Sequence, residues 1–206
     1  MQNKKEKLED FKTAISSTVR SLSNTEKIEV YFGNQNPKSE KNSIKLPELE
    51  QTNNKLNYNQ IRALADSKSL NFRFSNNKIF KQYEPEGNIS KRLYSISEKI
   101  RCEKIGTSYF KGIKNNIEKF YQERVTGLDL KNSDDKIIES FENYLRTKFL
   151  DFKNNSQIEK KLKSYRKDLN DQFKDKINQL NEFTLNQEKF NSLISEIISN
   201  MNLDEN

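Results

Sequence analysis

Histidine and tryptophan are absent from these 206 residues, and the chain holds one cysteine, five glycines and three prolines. Each shortage removes a class of chemistry. With no histidine and with Cys102 alone, the chain by itself can build neither a structural zinc site nor a Ser/His or Cys/His catalytic pair. A lone cysteine forms no internal disulfide, which suits a reducing cytoplasm. The glycines, at positions 33, 87, 106, 112 and 127, are too scattered for a P-loop or a dinucleotide fingerprint, so any ATP is expected to bind another chain. Long apolar runs are missing as well. The start MQNKKEKLEDFK is charged where a secretory leader is apolar, and no run approaches a membrane-spanning length.

Hydrophobic residues make up 32% of the chain and the mean hydropathy is -1.03, values that by themselves point toward disorder. The 13 Phe and 8 Tyr argue for a folded, strongly solvated protein, because aromatics at helical spacing bury much apolar area each. The formal charge of +7 invites a nucleic-acid reading. The excess, however, is carried by dispersed lysines among frequent asparagines, as an AT-rich coding sequence would give, and nucleic acid is set aside as the main ligand.

Leu8, Phe11, Ile15, Val19 and Leu22 recur at helical spacing and predict a helix over residues 5–22. In KIEVYFG the period becomes two, which predicts a half-buried strand ending at Gly33, and IKLPELE returns as a short strand that Pro47 stops. From Tyr58 to Phe74 the period is helical again. Ile61, Leu64, Ala65 and Phe72 fall on one side and Ala63, Leu70 and Phe74 nearly opposite, so this helix is expected to lie buried between neighbours. Two of the three alanines in the chain sit here, as close-approach points. A helix over 90–105 is expected to end at Gly106, followed by one over 109–124 and a boundary near 126–132. Beyond it, three amphipathic helices are expected, with Ser133, Ser156 (with Glu159) and Thr184 (with Gln187) as N-terminal caps. The second carries one long stripe from Ile158 to Leu180, read as core or as a coiled-coil seam. The expected fold is mainly α, a helical bundle-like domain with a short β strand or hairpin near residues 27–47. Residues 1–128 form a first part and 132–206 a helical hairpin or bundle packed on it.

Two polar groups stand out against this background. Arg62, Asp66, Ser69 and Arg73 run as a stripe between the two apolar sides of the 58–74 helix, either as an ionic seam or as a binding surface. Glu98, Arg101 and Glu103 read as a carboxylate and guanidinium cluster that docks a partner or holds a hydrophilic metal ion through oxygen, or else as a surface pair at i,i+3. Cys102 reads as a passive, half-buried residue.

FKTAISSTVRSL, IEVYFGNQNP with the following LPE, RALADSKSL, SEKIRCEKIG and GIKNN resemble, in order and spacing, the N-terminal region of the T subunit (CobT) of the aerobic cobaltochelatase. The quoted match is strong from Phe11 to Asn116. The family pattern falls on Phe32, Pro37, Leu46, Pro47, Arg62, Ala65, Asp66, Ser67, Leu70, Glu98, Arg101, Glu103, Gly106, Gly112 and Asn116. Family members tend to carry histidine near the position of Ser75, which this chain lacks, and continue through an acidic linker into an integrin-type metal-binding domain, which this sequence is expected to lack, as a fragment or a short form ending at Asn206.

The resemblance implies a subunit of an ATP-dependent ligase that inserts Co2+ into hydrogenobyrinic acid a,c-diamide. This chain would carry no catalytic residues and bind no cofactor, while the complex uses ATP, Mg2+ and Co2+. Its partners would be an AAA+ ATPase subunit and the large tetrapyrrole-binding subunit, in the cytoplasm and away from membranes, with a homo-oligomer left open. The candidate partner-binding residues are Arg62, Asp66, Ser67, Ser69, Arg73, Glu98, Arg101, Glu103 and Asn116. A basic helical nucleic-acid-binding or adaptor module is the alternative.

Overall fold

The computed structural model describes residues 2–34, 42–49, 51–52, 55–201 and 203; Pro37, Asp204 and Glu205 lie outside them. Along the described chain run α1 (Gln2–Ser23), β1 (Glu29–Phe32), β2 (Ser43–Leu46), β3 (Gln51–Thr52), β4 (Lys55–Leu56), α2 (Tyr58–Phe74), α3 (Asn77–Gln82), α4 (Asn88–Tyr109), α5 (Ile113–Gly127), α6 (Ser133–Phe149), α7 (Ser156–Lys161), α8 (Arg166–Phe173), α9 (Lys176–Glu182) and α10 (Gln187–Ser199). The protein is mainly α, as the helical periods predict. Among the described residues no helix is long and apolar enough to cross a membrane.

The β element is a parallel pair rather than a hairpin, with Val30 opposite Ile44 and Phe32 opposite Leu46. Gly33, at φ 65°, turns the chain out of β1, yet its N–H still reaches the Leu46 carbonyl at 2.9 Å, so the ends of the two strands are level. β3 and β4 form a separate antiparallel pair that the sequence does not announce.

Helix α2 divides the interior. Ile61 and Ala65 belong to a cluster with Ile15 and Val19 of α1, Phe32 of β1 and Ile44 and Leu46 of β2. Leu70 belongs to a second and larger cluster that takes in Leu93 and Ile100 of α4, Ile117 and Tyr121 of α5, Phe141 and Phe149 of α6, and Phe190 and Ile194 of α10. Burial on two sides is what the alternating placement of Ile61 and Leu70 requires, and the small Ala63 and Ala65, both at most 1% exposed, let the neighbours approach.

Helix α4 does not end at Gly106 but runs through it to Tyr109. The glycine serves instead as a close contact. A Cβ built there would lie 2.3 and 2.4 Å from the two terminal carbons of Leu70, a side chain fully buried and with no room to retreat.

The stripe from Ile158 to Leu180 is core, since Ile158, Leu162, Leu169, Phe173 and Leu180 are all buried in the larger cluster. It is not one helix but three short ones. A straight helix would carry Leu180 about 33 Å from Ile158, far along one line; the breaks after Lys161 and Phe173 let α7 pack on α5 while α8 and α9 pack on α6. The caps differ too. Asparagines one residue before Ser133 and Ser156, and two after Thr184, do the work: Asn132, Asn155 and Asn186 accept hydrogen bonds from the N–H groups of Asp134, of Gln157 and Ile158, and of Lys189. Asparagine and serine cap equally well, so local backbone geometry decides between adjacent candidates.

Gly106→Ala is expected to lower the melting temperature although alanine favours helix, because overpacking a filled core costs about 1–3 kcal/mol against a propensity gain of roughly 1 kcal/mol. Gly127→Ala, where an added Cβ meets nothing within 4 Å, should leave the melting temperature unchanged or raise it. Thermal denaturation of both variants checks the contrast, and equal behaviour would refute the close-contact role of Gly106.

Candidate docking groove and the ionic network beneath it

Helix α4 is apolar on the Leu93 and Ile100 side, and its opposite side is no surface: Glu98, Arg101, Cys102 and Glu103 are each at most 1% exposed. The expected surface pair is therefore a buried one. Arg101 donates from Nε to Glu98 Oε2 at 2.9 Å and from Nη2 to Glu98 Oε1 at 2.7 Å. Its remaining donors reach the carbonyls of Phe74, at 2.7 Å, and Thr184, at 3.0 Å. One guanidinium thus ties α4 to the end of α2 and to the loop between α9 and α10. Burial and the neighbouring Glu98 push the Cys102 thiol well above its usual range, so it stays protonated.

Glu103 starts a second network. One of its oxygens accepts the Ser67 hydroxyl at 2.5 Å, and the other accepts Arg146 Nη1 at 2.7 Å. Arg146 also donates to Glu142 Oε1 at 2.8 Å, and Glu142 accepts Arg124 Nη2 at 2.8 Å and Lys99 at 3.4 Å. Arg124 in turn grips Glu139 through two bonds of 2.6 and 2.9 Å. Burial alone would raise the Glu142 pKa, but Lys99, Arg146 and Arg124 outweigh it and hold the carboxyl well below the usual range. The network joins α2, α4, α5 and α6. Its members Arg146 and Glu142 were legible only as an i,i+4 pair inside the apolar pattern of α6; sequence reasoning missed them.

The α2 stripe is split by the fold. Asp66 is 5% exposed and accepts Asn116 Nδ2 at 2.9 Å, while Ser69 is fully buried and bonds back to the Ala65 carbonyl at 2.7 Å. Arg62 and Arg73 are exposed and lie on aromatic faces, Arg62 over Phe11 at 5.4 Å and Arg73 over Phe74 and Phe110 at 5.2 and 5.7 Å. Of the nine candidate residues, Asp66, Ser67, Ser69, Glu98, Arg101 and Glu103 are buried and bonded within the chain, and Arg62, Arg73 and Asn116 reach the surface. Glu98 and Glu103 each face a guanidinium, not each other, and among the described residues no three His, Cys, Asp or Glu side chains gather as a metal site.

A groove of about 420 Å3 has Phe74, Ile79, Ile105, Tyr109 and Leu185 along its walls, Arg101 at its floor and Asn186, Gln187 and Glu188 in its lining, and the Arg73 guanidinium borders it over the Phe74 ring. Tyr109 and Leu185, 65% and 75% exposed, are the exposed large hydrophobics among the described residues, and both belong to this groove. The Tyr109 ring stacks on Phe74 with centroids 6.4 Å apart. Gln187 closes one end by bonding the Asn76 N–H and carbonyl at 2.7 and 3.1 Å, so it bridges α10 to the α2–α3 turn rather than capping with Thr184.

Helices that turn their charges inward and leave an arginine-flanked apolar groove outside define an α-helical scaffold with a surface fit for protein contact. The family model described as cobalamin biosynthesis protein CobT matches residues 5–206, and the chain belongs to that family. The match covers the C-terminal helices as well as the stretches whose sequence resembles the family directly. Membership makes the chain a subunit of the cobaltochelatase of cobalamin biosynthesis. No solved structure matches the chain.

Burial is the main reason that the Asp66 pKa is pushed up to about 6, against the Asn116 hydrogen bond and the Arg62 charge, which lower it. A carboxyl that holds its proton more tightly when folded contributes stability at low pH, and this is lost as pH rises from the ordinary aspartate range through about 6. Asp66→Asn keeps an acceptor for Asn116 and removes the buried charge. The variant is expected to melt above the parent at pH 7.5, by on the order of 2–3 kcal/mol in stability, with the gap narrowing below about pH 6 and closing near the ordinary aspartate pKa of 3.8. Melting curves across that range check the sign. Arg146→Ala, in contrast, leaves the buried Glu103 facing no cation and takes one of three from Glu142, and should destabilise by about 3–5 kcal/mol at pH 7.

Proposed function

We propose that the chain is a non-catalytic assembly subunit of the ATP-dependent cobaltochelatase, and that the groove between Tyr109 and Leu185 receives the AAA+ ATPase subunit. In this reading the ATPase binds ATP and Mg2+, the large subunit holds hydrogenobyrinic acid a,c-diamide and takes the incoming Co2+, and this chain couples the two in the cytoplasm. The observation that carries the docking role is the joint exposure of Tyr109 and Leu185 on one groove beside Arg73. Aromatic, aliphatic and arginine side chains of this kind supply most of the binding energy in protein interfaces. Supporting it, Arg101 fixes both walls at once through Phe74 and Thr184, which pre-organises the groove. Of the candidate residues, Arg73 would touch the partner and Arg101 would position the surface. Glu98 would hold Arg101, and Ser67, Glu103, Asp66 and Asn116 would hold the helices behind it.

Size-exclusion chromatography with light scattering, on the chain mixed with the AAA+ subunit with and without ATP, tests this. Co-elution is expected for the parent. Tyr109→Ser with Leu185→Ser, both exposed and neutral for folding, should weaken it by about tenfold or more, and Arg62→Ala should not. Unchanged co-elution of the double variant would place docking elsewhere, and separate elution of the parent would move the partner assignment to the large subunit.

A further inference from the structure

A second groove, between β2 and the helices α2, α3 and α4, encloses about 680 Å3 and sets three lysines, Lys45, Lys68 and Lys99, against one carboxylate, Glu98. Glu98 does not offset them, since Arg101 occupies both its oxygens. Lys99 has Glu142 at 3.4 Å. Lys68 has instead a main-chain partner, the Lys45 carbonyl at 2.8 Å; burial and the Lys45 charge lower its pKa. Two cations therefore stand side by side at the groove with no carboxylate in contact among the described residues.

Among the described residues the outer edge of β2 in the same wall has no main-chain partner. In the parallel register, Gly33 N–H bonds the Leu46 carbonyl, so Ile44 and Leu46 turn their main-chain groups toward β1. Ser43 and Lys45 alternate with them and turn theirs toward the groove, where the Lys68 ammonium is the group bonded to the Lys45 carbonyl. A free strand edge accepts another strand, with main-chain bonds giving affinity and flanking side chains giving specificity.

We propose that this groove takes an extended acidic segment of a partner protein, laid along the outer edge of β2 with its carboxylates on Lys45, Lys68 and Lys99. The lysines select the charge, and the strand edge selects the conformation. The edge N–H and carbonyl groups recur at the two-residue repeat of a strand, which a peptide backbone matches along its length; nucleobases carry N–H and carbonyl groups but not in that repeat, which favours peptide over nucleic acid. Binding would draw the Lys68 ammonium from the Lys45 carbonyl onto a carboxylate. The proposal does not rest on docking at Tyr109 and Leu185.

A fluorescent peptide alternating Glu and Val, titrated with the full chain and followed by anisotropy, provides the test. Saturable binding is expected, with Lys45→Glu combined with Lys68→Glu weakening it by about tenfold or more. Lys160→Glu combined with Lys174→Glu, the same change of net charge at exposed positions outside the groove, should alter it by less than about twofold. Methylating alternate peptide nitrogens should weaken binding, and hydrogen exchange should show new protection at the Lys45 amide. No saturable binding, equal loss in the two charge-reversal pairs, or indifference to methylation would overturn the proposal. Tighter binding of a single-stranded oligonucleotide that also depends on Lys45 and Lys68 would overturn it in favour of a nucleic-acid site.

Discussion

A buried guanidinium leaves a protein little freedom, and Arg146 sets that condition here. Its side chain is 3% exposed and its donors are met by carboxylates on two different helices, Glu103 of α4 and Glu142 on its own α6. The Tyr121 and Phe152 rings, 4.9 and 5.5 Å away, cover its faces. Desolvating such a charge is tolerable only where the partners are fixed in place, so the register of α4 against α6 follows from it. Through Glu103 and Ser67 the same constraint reaches α2, and through Glu142 and Arg124 it reaches α5.

Rigidity below and apolar exposure above are two sides of one arrangement. Arg101 repeats on a smaller scale what Arg146 does for the bundle, collecting carbonyls from Phe74 and Thr184, segments far apart in sequence. Those two carbonyls lie beside Tyr109 and Leu185. Walls held by charge-assisted bonds, which are shorter and stronger than neutral ones, keep the shape of the surface between them. Cys102, at the centre of this region, is kept inert by burial.

Much of the fold was legible because periodicity reports burial. Ile61 and Leu70 on opposite sides of α2 announced a helix between two cores, and its boundaries at Tyr58 and Phe74 agree with the sequence reading. What escaped was three-dimensional in origin. Glu98, Arg101 and Glu103 look like a solvated pair because charge reads as surface, and nothing within α4 reveals that Arg146 lies opposite. Gly106 looks like a stop because glycine ends helices, whereas the reason for it sits on Leu70 of another helix. The Ile158–Leu180 stripe has unbroken helical spacing, and only the shape of the core beneath it demands three pieces. Of the groove, Arg73 was singled out from α2, but Tyr109 and Leu185 are ordinary residues until the chain brings them together.

Because α2 contributes Ile61 and Ala65 to one cluster and Leu70 to another, and α1 gives Ile15 and Val19 to the first and Leu22 to the second, the molecule contains two reservoirs of stability of unequal size joined along both helices. The smaller, built from α1, the parallel strands and one side of α2, holds no part of the Arg146 network. Loss of its packing would still leave α2 bonded to α4 through Ser67 and Glu103. The parallel strands belong to this smaller part, so the lysine groove has its Lys45 wall there and its Phe80 and Lys99 wall on the larger one. An adjustment of the strands would leave in place the Arg101 bonds to Phe74 and Thr184 that lie beside Tyr109.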